Sequence, residues 1–215
     1  MTTMKRRAAK PVPPHVPEEQ DSVRQRVLGA AFSSFLEKGY ARTSMLEIAS
    51  RARISKRDLY AMCNGKPAML KELVSERARR MRLPLDLPAV RDRKQLAAAL
   101  TAFGVAIMQG ICSRPVLVLQ RLAVAVAEDE PEVAQTFDGA GRKVNRAALR
   151  RFLAQAQDRK VLGPGDPAAM VEDFFALLWG DLLVELLLGV ATPPSERELK
   201  QKARRATAKF LKLYP

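Results

Sequence analysis

The sequence predicts an all-α protein, and three observations lead to that prediction. From Asp21 onward apolar residues recur at helical spacing almost throughout, whereas no segment alternates with a period of two for long enough to indicate a strand. Proline and glycine separate the periodic segments from one another. With 215 residues, of which 47% are hydrophobic, the chain can bury one sizeable core or a core and a small second domain.

Residues 1–20 are predicted to form a disordered basic arm. They combine Lys5, Arg6, Arg7 and Lys10 with several prolines and have no apolar period. Such an arm adds phosphate contacts to a nucleic-acid site, or it is a solvated tail. No apolar run follows its basic residues, so a signal peptide is not expected.

The first helix is predicted to begin at Asp21 and to end at Gly39, with a one-sided apolar stripe that includes Val27, Ala31 and Phe35. A second, short helix follows, because Ser44 and Glu47 have the spacing of a capping box.

The third helix is predicted to begin at Ser55, with Asp58 in its first turn where the helix dipole favours a negative charge. A fourth helix begins near Pro67, whose missing N–H is harmless in a first turn, and extends to residue 82. Further helices are predicted over residues 91–112, 115–128, 131–160, 167–190 and 195–213. Residues 95–113 carry no charge, but their many alanine and polar residues favour a core helix over a membrane span.

Composition excludes several classes of active site. His15 is the only histidine, and Cys63 and Cys112 are the only cysteines, so a histidine-based triad, a Cys/His metal site and a disulfide framework are not expected. Gly139 and Gly141 begin like a dinucleotide loop, but no strand precedes them. We therefore expect no enzyme activity, no metal and no cofactor, and a cytoplasmic location.

The net charge of +14 is concentrated near the N-terminus, because residues 1–82 carry 18 Lys and Arg against 8 Asp and Glu. Such a segment binds a polyanion, either nucleic acid or an anionic membrane surface. Two short helices joined by a tight turn at residues 51–54 favour a helix-turn-helix with the start of the second helix in the major groove. By spacing alone, a surface αα-hairpin with a solvated basic face is nearly as good an interpretation.

Residues 22–75 resemble the DNA-binding domain of the TetR family of transcriptional regulators. The residues that carry the resemblance are Ala30, Ala31, Phe35, Gly39, Tyr40, Thr43, Ser44, Ile48, Ala49, Ile54, Ser55, Leu59, Tyr60 and Lys66. The resemblance implies a three-helix DNA-binding domain, a connecting fourth helix that completes residues 21–82, and a helical effector-binding and dimerisation domain over residues 83–215.

The resemblance also implies roles for individual residues. Lys56 and Arg57 face the groove, whereas Thr43, Tyr60 and Lys66 contact phosphates. Ser44 and Ser55 complete the predicted set of DNA-binding residues.

Three residues depart from the family pattern. Arg53 occupies a turn position that usually holds glycine, so the turn either has a strained positive φ or adopts another shape. Met62 and Cys63 replace residues that are usually His and Phe. Cys63 is either a buried structural thiol or a redox sensor, and the first interpretation is favoured.

The C-terminal half resembles the AefR-like subgroup of the family through Arg121, Leu122, Pro131, Glu132 and Phe137. A pocket for an effector is predicted among apolar and aromatic residues of the central helices, namely Phe103, Ile107, Leu122, Phe137, Phe174, Leu178 and Trp179. Because few polar residues accompany them, a hydrophobic small molecule is the expected effector.

The last two helices are predicted to pair with a second copy as a four-helix bundle, as the resemblance implies. The predicted interface residues are Leu182, Leu183, Leu186, Leu187, Leu199, Ala203 and Phe210. Asp181 and Glu185 either meet Arg204 or Arg205 across the interface or remain solvated.

Together these features predict a ligand-released repressor that acts as a homodimer on a palindromic double-stranded DNA operator, with no membrane partner. An architectural DNA-binding protein without sequence preference is the alternative, since the charge alone permits it.

Overall fold

The computed structural model describes residues 17–86 and 90–215. Within these ranges the structure is helical and contains no strand, which confirms the all-α prediction. The N-terminal helices are α1 (Pro17–Lys38), α2 (Met45–Ala52), α3 (Lys56–Met62) and α4 (Lys66–Arg82), followed by a 3₁₀ turn (Leu83–Leu85). The others are α5 (Arg93–Cys112), α6 (Arg114–Ala125), α7 (Pro131–Thr136), α8 (Val144–Asp158), α9 (Pro167–Trp179), α10 (Leu182–Leu188) and α11 (Glu196–Leu213).

Helix α1 begins at Pro17, four residues before the predicted start. Proline is well placed there because the first N–H groups of a helix have no intrahelical acceptor. The disordered arm that the sequence predicts lies, for residues 1–16, outside the described residues.

The helix predicted over 131–160 is continuous from residue 131 to residue 158, but its middle part is π-helical. A π-helical segment (Phe137–Lys143) joins α7 to α8, and Thr136 and Val144 on either side of it keep right-handed helical dihedrals. A π-helical segment changes the rotational phase of everything that follows it. The side chains of α8 therefore face directions that an unbroken 3.6-residue period does not predict.

The prediction of a single helix over 167–190 is wrong. Gly180 has a φ of 49° and a ψ of −130°, and it separates α9 from α10. A residue with a Cβ rarely adopts this backbone conformation, which explains why glycine ends the helix here. Gly189, with a φ of 78°, then ends α10 in the left-handed conformation.

The N-terminal core is built by α1 to α4 around fully buried Phe35, Ile48 and Leu59. The same cluster includes Leu119 of α6 and Val133 of α7. The unit formed by α1 to α4, called the head below, therefore shares its core with helices from beyond residue 82.

A second core surrounds α5. The rings of Phe103, Phe174 and Phe210 pack in series, with centroids 6.2 Å apart for the first pair and 5.6 Å for the second. Helix α5 has the length and composition of a membrane span, yet its larger apolar residues, such as Leu100 and Met108, are buried against other helices. This is the behaviour of the core helix of a water-soluble fold.

Candidate nucleic-acid interface

Helices α2 and α3 form a helix-turn-helix. Ser44 caps α2 by accepting a hydrogen bond from the Glu47 N–H at 3.2 Å. Arg53 ends α2 with φ 55° and ψ 50°, and the next residue, Ile54, donates its N–H to the Ala49 carbonyl at 3.1 Å. Of the two predicted shapes of this turn, the strained one is present, at a cost of about 1–2 kcal/mol for a residue with a Cβ.

Helix α3 is fixed at its start and along one side. The Ser55 hydroxyl accepts the Asp58 N–H at 3.0 Å and donates to the Asp58 carboxylate at 2.7 Å. Leu59 is fully buried and anchors α3 on the head. The opposite side of the helix is thereby held toward solvent.

The exposed side of α3 carries Lys56, Arg57 and Tyr60. The Lys56 amino group lies 5.8 Å from the centre of the Tyr60 ring, which is 44% exposed. Arg57 makes no hydrogen bond or ion pair with any residue that the structure describes. Arg57 is therefore free to reach a polyanion without first breaking a hydrogen bond or an ion pair.

Two acidic residues of the head, Glu37 and Glu47, are paired with basic residues away from α3, whereas Asp58 lies on α3 itself and its partner is Ser55. Glu37 accepts two hydrogen bonds from Arg51, at 2.7 and 2.6 Å, and these hydrogen bonds lower the pKa of Glu37. Glu47 pairs with Lys38 at 3.0 Å. Because these acids are compensated locally, the surface around α3 keeps an excess of positive charge.

Two predicted phosphate contacts have internal partners in the structure. Thr43 is buried, and its hydroxyl lies 2.8 Å from the Gly39 carbonyl oxygen and 3.1 Å from that of Ser34. Its side chain therefore cannot touch a phosphate without a rearrangement. The Lys66 amino group donates to the carbonyls of Tyr40 and Ala41, which leaves one N–H for an outside partner.

Two exposed arginines that are not among the predicted DNA-binding residues lie close to them in the chain. Arg42 follows the end of α1 and Arg53 lies in the left-handed turn directly before α3. The sequence contains no motif that marks Arg53, because the family pattern has glycine there. Ser44, also exposed, uses only its oxygen as a cap acceptor and keeps its O–H proton for another acceptor.

The residues of the predicted effector pocket divide between the two hydrophobic cores. Phe103, Ile107, Phe174 and Leu178 are packed together in the second core, and Trp179 lies at its edge. Leu122 and Phe137 instead pack against the N-terminal core. Three clefts in the described part of the chain are lined by other residues.

One of these clefts lies between the head and the second core. It has a volume of about 440 Å³ and is enclosed by α1, α4 and α5. Its walls include Phe32, Leu73 and Ala106, together with the charged side chains of Arg77 and Arg80.

The predicted dimer residues divide into two groups. Leu186, Leu199, Ala203 and Phe210 are buried within this protomer. Leu182, Leu183 and Leu187 are half-buried. The large apolar residues that remain exposed in this region are Val184, Leu188 and Val190.

Two family models match the chain. The model of bacterial regulatory proteins of the tetR family matches residues 27–73, and that of the C-terminal domain of AefR-like transcriptional repressors matches residues 98–215. A comparison with curated protein sequences finds no significant match.

Solved structures resemble the whole fold. The flavonoid-responsive regulator FrrA is 27% identical, with a TM-score of 0.67 over 90% of this chain and 97% of FrrA. A TetR family transcriptional regulator from Pseudomonas syringae pv. tomato DC3000 is 26% identical, with a TM-score of 0.64 over 90% of this chain and 97% of its own. A TetR transcriptional regulator from Agrobacterium tumefaciens is 24% identical, with a TM-score of 0.72 over 89% and 94%.

Proposed function

The chain belongs to the TetR family of bacterial transcriptional regulators, and from this premise we propose that it is a repressor released from its operator by a small molecule. It binds a palindromic double-stranded DNA operator as a homodimer in the cytoplasm. Members of the family are regulators rather than enzymes, and no catalytic role is proposed. The observation that carries the proposal is the exposed, unpaired basic side of α3.

Docking follows from the geometry of the helix-turn-helix. The start of α3 enters the major groove, where Arg57 and Lys56 reach acceptors on guanine. Tyr60 and Ser44 contact flanking phosphates, and Arg42 and Arg53 add phosphate contacts on either side. Lys66 contributes one remaining N–H, while Thr43 shapes the loop before α2. Ser55 supports α3 as its cap.

A single short recognition helix reads only a few base pairs, so two copies are needed for adequate specificity. A two-fold dimer places its α3 helices about 34–36 Å apart on successive major grooves.

Helix α4 connects effector binding to DNA binding, because it belongs to the head and packs against α5 and the π-helical segment. A ligand that moves α4 changes the spacing of the two heads.

The effector is proposed to be a hydrophobic small molecule. The description of FrrA as flavonoid-responsive supports a small-molecule response in this chain, although the identity is only 27%. By linkage, an effector that weakens DNA binding must itself bind the DNA-bound dimer more weakly by the same factor, typically about 5- to 150-fold.

The experiment is selection of binding sites from random duplex DNA with the full-length chain. The expected product is an inverted repeat whose half-sites are about one helical turn apart. Enrichment of no sequence, together with affinity that depends only on salt, would support the architectural alternative. For a variant of the head such as Arg57→Ala, the control is Arg151→Ala in α8, because it also removes one exposed positive charge but lies outside the head.

A further inference from the structure

We propose that the effector site is the cleft between α1, α4 and α5, and that it takes an apolar carboxylic acid whose carboxylate pairs with Arg77. The proposal rests on the proposed function for its regulatory meaning, but the binding site itself is testable without DNA.

The cleft has the size and lining of a small-molecule site. Its volume of about 440 Å³ lies within the range of about 300–1,000 Å³ that such sites occupy. It shares Ala106 and Gln109 with a shallow groove of about 570 Å³ that follows α5 toward α11. An extended apolar body can therefore continue from the cleft along α5.

Arg77 is the one cation of this cleft that lacks a counter-ion among the described residues. Its guanidinium lies 3.8 Å from the centre of the Phe32 ring, and its Nε is buried without a hydrogen-bond partner. Burial, reinforced by the positive charge of Arg80, lowers the pKa of Arg77. A half-buried arginine with an unused donor is stabilised by an anion that accepts from it.

The neighbouring charges are already compensated. Glu76 accepts hydrogen bonds from Arg79 and Arg80, the former at 3.0 and 3.1 Å, and these hydrogen bonds lower its pKa to about 2. Arg80 also donates to Gln25 at 3.0 Å. Glu76 therefore does not neutralise Arg77, and the cleft retains one positive charge for one carboxylate.

The position of the cleft couples binding to the head. Helices α1 and α4 carry the N-terminal core, whereas α5 is the centre of the second core. Met81 of α4 packs so closely on Gly110 of α5 that a Cβ there would lie 2.1 Å from its methyl carbon. A ligand that separates α1 and α4 from α5 must therefore tilt the head.

The test is calorimetric titration of the full chain at pH 7 with two matched compounds, 2-naphthoate and the neutral 2-naphthamide. We expect the acid to bind about 10- to 100-fold more tightly, as for a hydrogen bond between charged groups. Arg77→Gln should remove that advantage and leave the amide unchanged. Arg146→Gln is the matched control, because its guanidinium also stacks on a ring, 4.9 Å from the centre of Phe175, outside the cleft.

A second variant tests the cavity rather than the charge. A Cβ at Gly29, which lines the cleft, meets nothing within 4 Å, so a side chain can begin there, and Gly29→Leu should fill the cleft and abolish binding of both compounds. Gly139→Leu, where a Cβ also meets nothing, is the control outside the cleft. If circular dichroism shows Arg77→Gln to be unfolded, this pair decides the question.

The proposal is overturned if neither compound binds at about 1 mM, the weak end of specific binding, if Arg77→Gln and Arg146→Gln have equal effects, or if Gly29→Leu leaves binding intact. Failure of DNA site selection with naphthoate binding intact contradicts the proposed function alone. Intact site selection without naphthoate binding contradicts this inference alone.

Discussion

Lys66, at the start of α4, is bound to Tyr40, which follows the end of α1. The Lys66 amino group donates to the Tyr40 carbonyl at 2.8 Å and lies 4.4 Å from the centre of the Tyr40 ring. Tyr40 is buried, and burial, with a smaller contribution from Glu132, raises the pKa of its hydroxyl to about 12. The ring therefore stays neutral at physiological pH and presents its face to the ammonium group. This contact fixes the start of α4 to the segment that follows α1.

Lys66→Met should therefore lower stability as well as DNA affinity. We expect the free energy of unfolding to fall by about 1–3 kcal/mol, since hydrogen bonds from a charged donor and a cation–π contact are lost. Urea unfolding at pH 7 measures the change, and Lys71→Met, an exposed lysine of the same helix, is the control. Equal transition midpoints for the two variants would contradict this role.

Arg57→Ala should remove base discrimination. The substitution is expected to cost about 1–3 kcal/mol on the preferred operator and to flatten the differences among operator variants, because a guanidinium forks onto guanine acceptors. Binding titrations against single-base variants measure both effects. Since Arg57 makes no contact within the described part of the protein, stability should not change. An unchanged base preference would assign the reading role to another residue.

Both thiols should react slowly in the folded protein. Burial raises the pKa of Cys112 to about 11 and also raises the pKa of Cys63. A raised pKa leaves little thiolate at pH 7.5, and thiolate is the reactive form. Alkylation by iodoacetamide, followed by mass spectrometry, should be much faster in urea than in buffer, with Cys63 ahead of fully buried Cys112. Rapid modification of folded Cys63 would favour a redox sensor.

Local features of the fold follow directly from the sequence. The side chains of Ser44 and Ser55 both cap their helices, as the spacing of residues three positions apart predicts. The reciprocal half of the predicted capping box is not formed, because the Glu47 carboxylate pairs with Lys38 instead. The resemblance at residues 22–75 predicts the helix-turn-helix, although it does not reveal that Thr43 is buried. Its hydroxyl bonds to the Ser34 carbonyl nine residues away, and only the folded loop brings these groups together.

Features that depend on how the helices pack against one another could not be predicted from the sequence. An apolar stripe such as Leu199, Ala203 and Phe210 is compatible with a core or with a dimer interface, and the structure uses it for the core. Arg77 is one of four arginines between residues 77 and 82, and the sequence does not distinguish it from the others; its guanidinium is placed in the cleft against the Phe32 ring only in the folded structure. The π-helical segment, which changes the rotational phase of α8, leaves no periodic signal.

The same substitution at two helical glycines should have opposite effects. Gly29→Ala should stabilise the protein by about 0.5–1 kcal/mol, because the added methyl group meets nothing and the unfolded chain loses freedom. Gly104→Ala should destabilise it by about 1–3 kcal/mol, because its Cβ would lie 3.2 Å from Leu178 and 3.3 Å from Ala203 in the core. Thermal unfolding of both variants measures the contrast; shifts of the same sign would contradict it.

Opposite charges on neighbouring helices should hold the proposed dimer together. Residues 167–190, which contain α9 and α10, have exposed acids that include Asp181 and Glu185 and have no Lys or Arg. Helix α11 exposes basic residues, of which Arg204 lines the groove along α5 and Arg205 lies about 100° further around the helix. A two-fold arrangement can therefore set the acidic face of one copy against Arg205 of the other.

Glu185→Lys and Arg205→Glu should each weaken dimerisation, because each places like charges opposite one another, by about 2- to 150-fold for a coupling of about 0.5–3 kcal/mol. Combining them restores the pair with its signs exchanged and should recover much of the loss. Sedimentation equilibrium over a concentration series measures the dissociation constant, and Glu128→Lys, an exposed acid between α6 and α7, is the control. If the double variant dimerises no more tightly than the weaker of the two single variants, Glu185 and Arg205 do not meet across the interface. The acidic and basic faces would then have to pair in another register.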